Sequence, residues 1–234
     1  MRRNLIVAAA AGIVIIALAA VGGYVYFFSS LRSSPSTLGL SASPSPATVS
    51  SGLAGTWKVT TGSRAGYRVQ ELFVGATSKH DAVARTSNVS GGLTVSGDSS
   101  GYQVSGITLS ADVSSLQSVD SVVGRNVTQR DGIVSRQLNV QQFPNATFIA
   151  TTVSVPGTVT SSPANISAAG KLTVRGVTKD VTVAATAQVV GDKIEIAGKT
   201  TINMTDYGVA PPQVPFTTVD PAVTIEFDVF LMKS

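Results

Sequence analysis

Apolar and polar side chains alternate with a period of two in one short segment after another between residues 56 and 231, the pattern of strands with one buried and one solvated face. The clearest case is 171–190, KLTVRGVTKDVTVAATAQVV. Leu172 and Val174 alternate with Thr173 and Arg175, a turn follows at Gly176, and Val181, Val183, Ala185, Ala187 and Val189 then share one side. This is a β-hairpin, and because a two-stranded ribbon is marginal in water it needs more strands around it. The same alternation predicts strands over 56–61, 65–73, 92–97, 102–113, 147–155, 193–204 and 222–231. In 147–155 the period puts Ile149, Val153 and Val155 on one face and Phe148 on the other. No long amphipathic helix is present to join parallel strands, so the sheet is antiparallel. One stretch, 114–142, breaks the pattern: Val122, Val123, Val127, Ile133, Val134 and Leu138 recur at irregular, partly helical spacings, and Ser114, Ser115 and Asp120 suit helix caps. One or two short helices and a loop are expected there, between the fourth and fifth strands. About eight antiparallel strands without a free edge close most simply into a barrel, so the fold class is all-β, an eight-stranded antiparallel β-barrel with a short helical insertion.

The first fifty residues follow a different pattern. Residues 5–28, LIVAAAAGIVIIALAAVGGYVYFF, carry no charge. As a helix they reach roughly 36 Å, enough for a hydrocarbon core of about 30 Å. Arg2 and Arg3 precede the run, and Tyr24, Tyr26, Phe27 and Phe28 close it. That order predicts a single-pass transmembrane signal anchor with 1–4 in the cytoplasm and the rest outside. Ala17, Leu18 and Ala19 also fit a small-residue cleavage site, so a removed signal peptide is the alternative; the apolar run continuing past Ala19 favours the anchor. Residues 29–51 are rich in Ser and Pro, too poor in large apolar side chains to fold, and predict a flexible linker holding a domain over 52–234.

Composition narrows the chemistry. The chain has no cysteine, which excludes disulfides, thiol catalysis and cysteine-based metal sites. Its 17 basic residues include Arg2, Arg3 and Arg32, so from Gly52 onward 14 basic residues face 13 acidic ones, with no basic cluster to hold nucleic acid. His80 is the sole histidine. In the loop-like SKHDAV it is expected to be a solvated surface residue, and without a second His or Cys, and with scattered carboxylates, neither a metal site nor a Ser-His-Asp arrangement is expected. Five sequons, at Asn88, Asn126, Asn145, Asn165 and Asn203, are no more than a Ser/Thr-rich chain produces by chance. Arg130 and Asp131 admit two readings: a local ion pair pinning the insertion to the barrel rim, or a guanidinium at the mouth able to hold a phosphate or a quinone carbonyl. Tyr207 and Arg68 are weaker candidates for that second role.

Four segments carry a resemblance. GTWKVTTGSRAGYRVQE, RDGIVSRQLNVQQFPNATF, GKLTVRGVTKDVTV and DYGVAPP stand in that order before a last alternating strand. Together they resemble the YceI-like family of polyisoprenoid-binding, lipocalin-like barrels over residues 55–231. The resemblance implies a long apolar interior holding an isoprenoid chain, with helices and loops beside the pocket. Many members have a His before the Gly of the GVT turn and are free periplasmic proteins; here Arg175 stands in that place and the domain carries a predicted tether. The expected function is storage or transport of a long-chain isoprenoid lipid, such as a polyprenyl phosphate or isoprenoid quinone, by a monomeric or homodimeric domain on the outer side of a bacterial plasma membrane. Tyr67, Val69, Leu93, Val95, Phe148, Leu172, Val174, Val183 and Phe227 are the expected lining, with Arg130 and Tyr207 at the polar end. No catalytic residue, metal or cofactor is expected. The alternatives are a structural or adhesive β-domain on a stalk, with a filled core, and an enzyme holding a prenyl substrate, for which the inventory offers no water-activating or redox group.

Overall fold

The computed structural model describes residues 13–24, 32–41, 52–122, 125–160 and 162–234. Ten strands of five residues or more build the main sheet: β1 Gly55–Val59, β2 Arg64–Phe73, β3 His80–Thr86, β4 Val89–Asp98, β5 Gly101–Asp112, β6 Asn145–Pro156, β7 Ala164–Val174, β8 Val177–Val190, β9 Lys193–Asn203 and β10 Thr217–Lys233, and an eleventh, the two residues Gln117–Ser118, pairs with β3 at its edge. Eight of them close a ring in the order β1-β4-β5-β6-β7-β8-β9-β10, with β10 returning to β1, and all pairings are antiparallel. The barrel expected from the alternation is therefore present. The hairpin 171–190 pairs with Val174 opposite Val177, and Ala185, Ala187 and Val189 face the interior.

β10 does double duty. One edge pairs with β9 along its length, while the other pairs with β1 near Leu231 and with β2 from Thr217 to Asp228. β2 in turn pairs with β3, which adds a flap to one end of the ring. The ladder between β10 and β2 slips between Val219 and Val223. Pro221 lies in that gap and has no N–H to donate, so the alternating run is legible only from residue 222 although the strand begins at Thr217.

Among its described residues the insertion after β5 contains the α-helix α1 Gln129–Leu138, preceded by a 3-10 turn, Val113–Ser115. Asn139 ends the helix in the left-handed region, its N–H bonded back to the Ser135 and Arg136 carbonyls. Arg130, Ile133, Val134, Gln137 and Leu138 recur at helical spacing on the face that covers the barrel's end.

Two expectations fail here. The linker is not free over its described part: Arg32 and Ser33 pair with Val122 and Ser121, and residues 34–41 lie along the outer wall with Leu38 buried. Two buried glutamates on that wall attract the backbone: the Leu38 N–H donates to Glu226 and the Ser41 N–H to Glu195. The facing of β6 also differs. Phe148 points inward together with Val153 and Val155, and Ile149 is 55% exposed. The inward set changes parity between Ala150 and Val153 on β6 and between Ile107 and Val104 on the paired β5. Gly106, at φ 59°, provides the kink that a strict period of two does not contain.

Of the predicted span 5–28, only 13–24 lies within the described residues, and it is helical with Ile13, Val14, Ile15, Ile16, Leu18, Val21 and Tyr24 exposed. Among the described residues no helix is long and apolar enough to cross a membrane.

Candidate functional site

The barrel interior holds two cavities in line. The smaller, about 110 Å³, is wholly apolar and ends against buried Leu53, Tyr102 and Val159. Leu93, Val95, Phe148, Val183 and Phe227 line it. The larger, about 520 Å³, lies under α1, and Tyr67, Val69, Val174, Arg130 and Tyr207 line it. It opens beside Arg125 and Phe216, lining residues that are themselves exposed. The expected lining is thus gathered inside one barrel but split between two chambers. Leu172 is a correction: it is buried but lines neither chamber.

Neighbouring inward positions mark the boundary. On β10 Ile225 faces the larger chamber and Phe227 the smaller; on β6 Ala146 and Phe148 divide in the same way, and on β5 Ala111 and Leu109. The Phe227 ring has room because residue 198 is glycine, where a Cβ would stand 2.6 Å from its Cζ and 2.7 Å from the Ala185 Cβ. Phe148, Leu109 and Phe227 therefore form a waist between the chambers.

The larger chamber has one polar wall. Arg130 Nη2 donates to Asp120 Oδ2 at 2.6 Å, and Arg130 Nη1 stands 3.8 Å from Glu71 Oε1. The same Asp120 oxygen is 2.7 Å from His80 Nε2, while the other accepts the Val83 N–H at 3.1 Å. His80 is therefore buried on β3, opposite Glu71 on β2, and not a solvated loop residue. The inward face of β3 is His80, Ala82, Ala84 and Thr86, polar or small at every position, so the strand shows no hydrophobic alternation. The Arg130–Asp131 ion pair does not form either. Asp131 accepts from the Ser118 N–H and hydroxyl, and this ties the start of α1 to the flap. Arg68, on the opposite face of β2 from Tyr67, points outward to Asp81 and the Pro35 carbonyl and has no part in the chamber.

Charge in this wall is set by burial and pairing. Burial pushes the Asp120 carboxyl up, yet the hydrogen bonds from His80, Arg130 and the Val83 N–H outweigh it and hold it down to about 2. Burial raises Glu71, only partly offset by Arg130. Burial also raises the phenols of Tyr67 and Tyr207, which stay neutral donors. Glu71, His80 and Asp120 bring one ligand atom each to within 4.8 Å of one another, a convergence that the sequence left scattered. The guanidinium of Arg130 already serves these carboxylates, and a metal ion beside it would meet a like charge. Arg130 Nη1, Glu71 Oε1 and the Tyr207 hydroxyl are buried in the chamber wall without a hydrogen-bond partner in the protein. They can receive a polar group at the end of an otherwise apolar guest.

A family model described as a YceI-like domain matches residues 57–231. A UPF0312 protein of Pseudomonas putida is 28% identical over 135 residues, which is 55% of this chain and 65% of that protein, so the chain spans slightly less than two thirds of that relative. A UPF0312 protein of Pseudomonas fluorescens is 30% identical over 139 residues, 57% of this chain and 67% of that one. Among solved structures, a polyisoprenoid binding domain from Saccharophagus degradans implicated in plant cell wall breakdown aligns with a TM-score of 0.49 at 16% identity, covering 76% of this chain and 98% of that one. Burkholderia cenocepacia BcnA aligns with a TM-score of 0.46 at 17% identity, over 70% and 95%.

Proposed function

The chain belongs to the YceI-like family, and from that premise we propose that its barrel binds an isoprenoid lipid, chain inward and polar end toward Arg130 and Tyr207. The observation that carries this reading is the larger chamber: about 520 Å³, mainly apolar, with the Arg130–Glu71 pair and the Tyr207 hydroxyl in its lining, each with a buried polar atom that has no hydrogen bond in the protein. Its size falls in the range of about 300 to 1,000 Å³ typical of small-molecule sites. Chain burial supplies most of the affinity: at about 25 cal/mol per Å², several hundred Å² of apolar surface contributes around 10 kcal/mol before ordering costs. The site serves binding, storage or transport, and its titratable groups position Arg130. Residues 5–28 anchor the domain to a bacterial plasma membrane with the barrel on the outer side; the exposed apolar side chains of 13–24 and the arginines before them support this.

Native mass spectrometry of the full chain in detergent, followed by organic extraction, tests the reading. A prenyl compound should be recovered, and prenyl phosphates should bind more tightly as their chains lengthen. Phe148→Asp should abolish binding, since an unpaired charge in an apolar cavity is strongly disfavoured. Arg130→Ala should weaken an anionic ligand by about 1 to 3 kcal/mol, with Arg130→Lys intermediate. An interior that yields no lipid and takes none would favour the structural β-domain. Affinity independent of chain length but lost entirely in Arg130→Ala would mean a polar rim site.

A further inference from the structure

The described part of the linker runs along the barrel in a definite direction. At its start Arg32 and Ser33 pair with Val122 and Ser121, and the bridge between Val122 and Arg125 brings this pairing beside the opening of the larger chamber. There the Arg125 guanidinium lies 4.4 Å from the Phe73 ring centre and 5.4 Å from that of Phe216. In mid-course the carbonyls of Pro35 and Ser36 accept from Arg68 and Arg85. At its end Ser41 gives its N–H and hydroxyl to Glu195, whose neighbours Ile194 and Ile196 line the smaller chamber. The seat is built for this chain: the side chains of Glu195 and Glu226 are fully buried on the outer wall, and the segment supplies donors to both.

The consequence is a reversal of polarity. The barrel begins beside the smaller chamber, where Leu53 lies, so a free linker would suspend the domain from its closed end. With 32–41 seated, the chain leaves the barrel at the open end instead. Seven residues, 25–31, lie between it and Tyr24, the last described residue of the apolar helical stretch. Their reach is at most about 25 Å. Round that opening Phe216 is 50% exposed and Val74, whose N–H bonds the Phe216 carbonyl, is 73% exposed.

We propose that residues 32–41 are an orienting strap that holds the mouth of the larger chamber against the phospholipid surface in which the N-terminal apolar segment sits. Lipid then passes between bilayer and barrel without crossing water, and Phe216 and Val74 are the side chains that meet the interface. This rests on the lipid-binding and anchoring reading above.

The absence of native cysteine makes the test direct. The full chain is reconstituted into phosphatidylcholine/phosphatidylglycerol vesicles with an environment-sensitive fluorophore on Val74→Cys or on Asp192→Cys, which lies in the turn beside the smaller chamber. Quenching by nitroxide-labelled lipid should be several-fold stronger at 74 than at 192. In the strap variant Leu38→Asp/Ser41→Pro, with the barrel shown folded by circular dichroism, the two positions should converge. Equal quenching in the wild type, stronger quenching at 192, or a pattern indifferent to the strap variant overturns the proposal. A chain that fails to float with the vesicles overturns it together with the anchor. Loss of extractable lipid with the quenching pattern intact strikes only the lipid reading and supports the orientation.

Discussion

Asp120 touches no guest, yet it holds the polar wall together, because one of its oxygens serves both His80 and Arg130 and the other takes the Val83 N–H. Its carboxyl is held down to about 2 in the folded chain, against about 3.9 unfolded. A depressed folded value gives stability that is present above the unfolded pKa and lost as pH falls through the folded one. That contribution, on the order of 2 kcal/mol, should disappear between about pH 4 and pH 2. Glu71, raised by burial, works in the opposite sense: its contribution is present below its unfolded pKa and lost as pH rises through the folded one. Thermal melts against pH should show the acid-side loss in the wild type and a flatter profile there in Asp120→Asn. Coincident profiles would mean that the network is not what titrates. Of these groups only Arg130 was legible as a site residue in the sequence. Its partners come from β2, β3 and the insertion, 10 to 59 positions away in the chain, and no local spacing records that convergence.

At the scale of elements, strands whose inward positions are large and branched were readable, and those with small or polar inward positions were not. β10 shows Val223, Ile225, Phe227, Val229 and Leu231 in unbroken alternation, whereas β3 turns His80, Ala82, Ala84 and Thr86 inward and reads as loop. The split of the interior was equally hidden, because it depends on where Phe227 meets Gly198 across the pair β9–β10. That contact yields a prediction. Phe227→Ala should open the waist, join the two chambers and shift the preferred prenyl alcohol to a longer chain, at a stability cost of about 3 to 5 kcal/mol. Competition binding over a series of chain lengths, on variant shown folded by circular dichroism, measures it. An unchanged optimum would place the length limit elsewhere.

For the whole molecule, the strap makes the linker part of the fold. A chain starting at Gly52 uncovers Glu195 and Glu226 and removes the donors of Ser41 and Leu38, leaving Gln188 and Arg85 as their partners. It should be less stable than one starting at Arg32 by about 1 to 3 kcal/mol, read from urea midpoints. Serine and proline content predicted a flexible stalk, which the seated residues 32–41 overturn; composition is blind to two glutamates that accept from this segment more than 150 residues later in the chain. The ring has a further consequence, in time. Val59 at the end of β1 finds its partner Leu231 only in β10, which also closes against β9 and β2. The barrel therefore has no wall to complete until its final strand has been synthesised, and pairing at such separation is slow. Until then the interior is an open trough, with the edges of β1 and β9 still waiting for the strand that joins them.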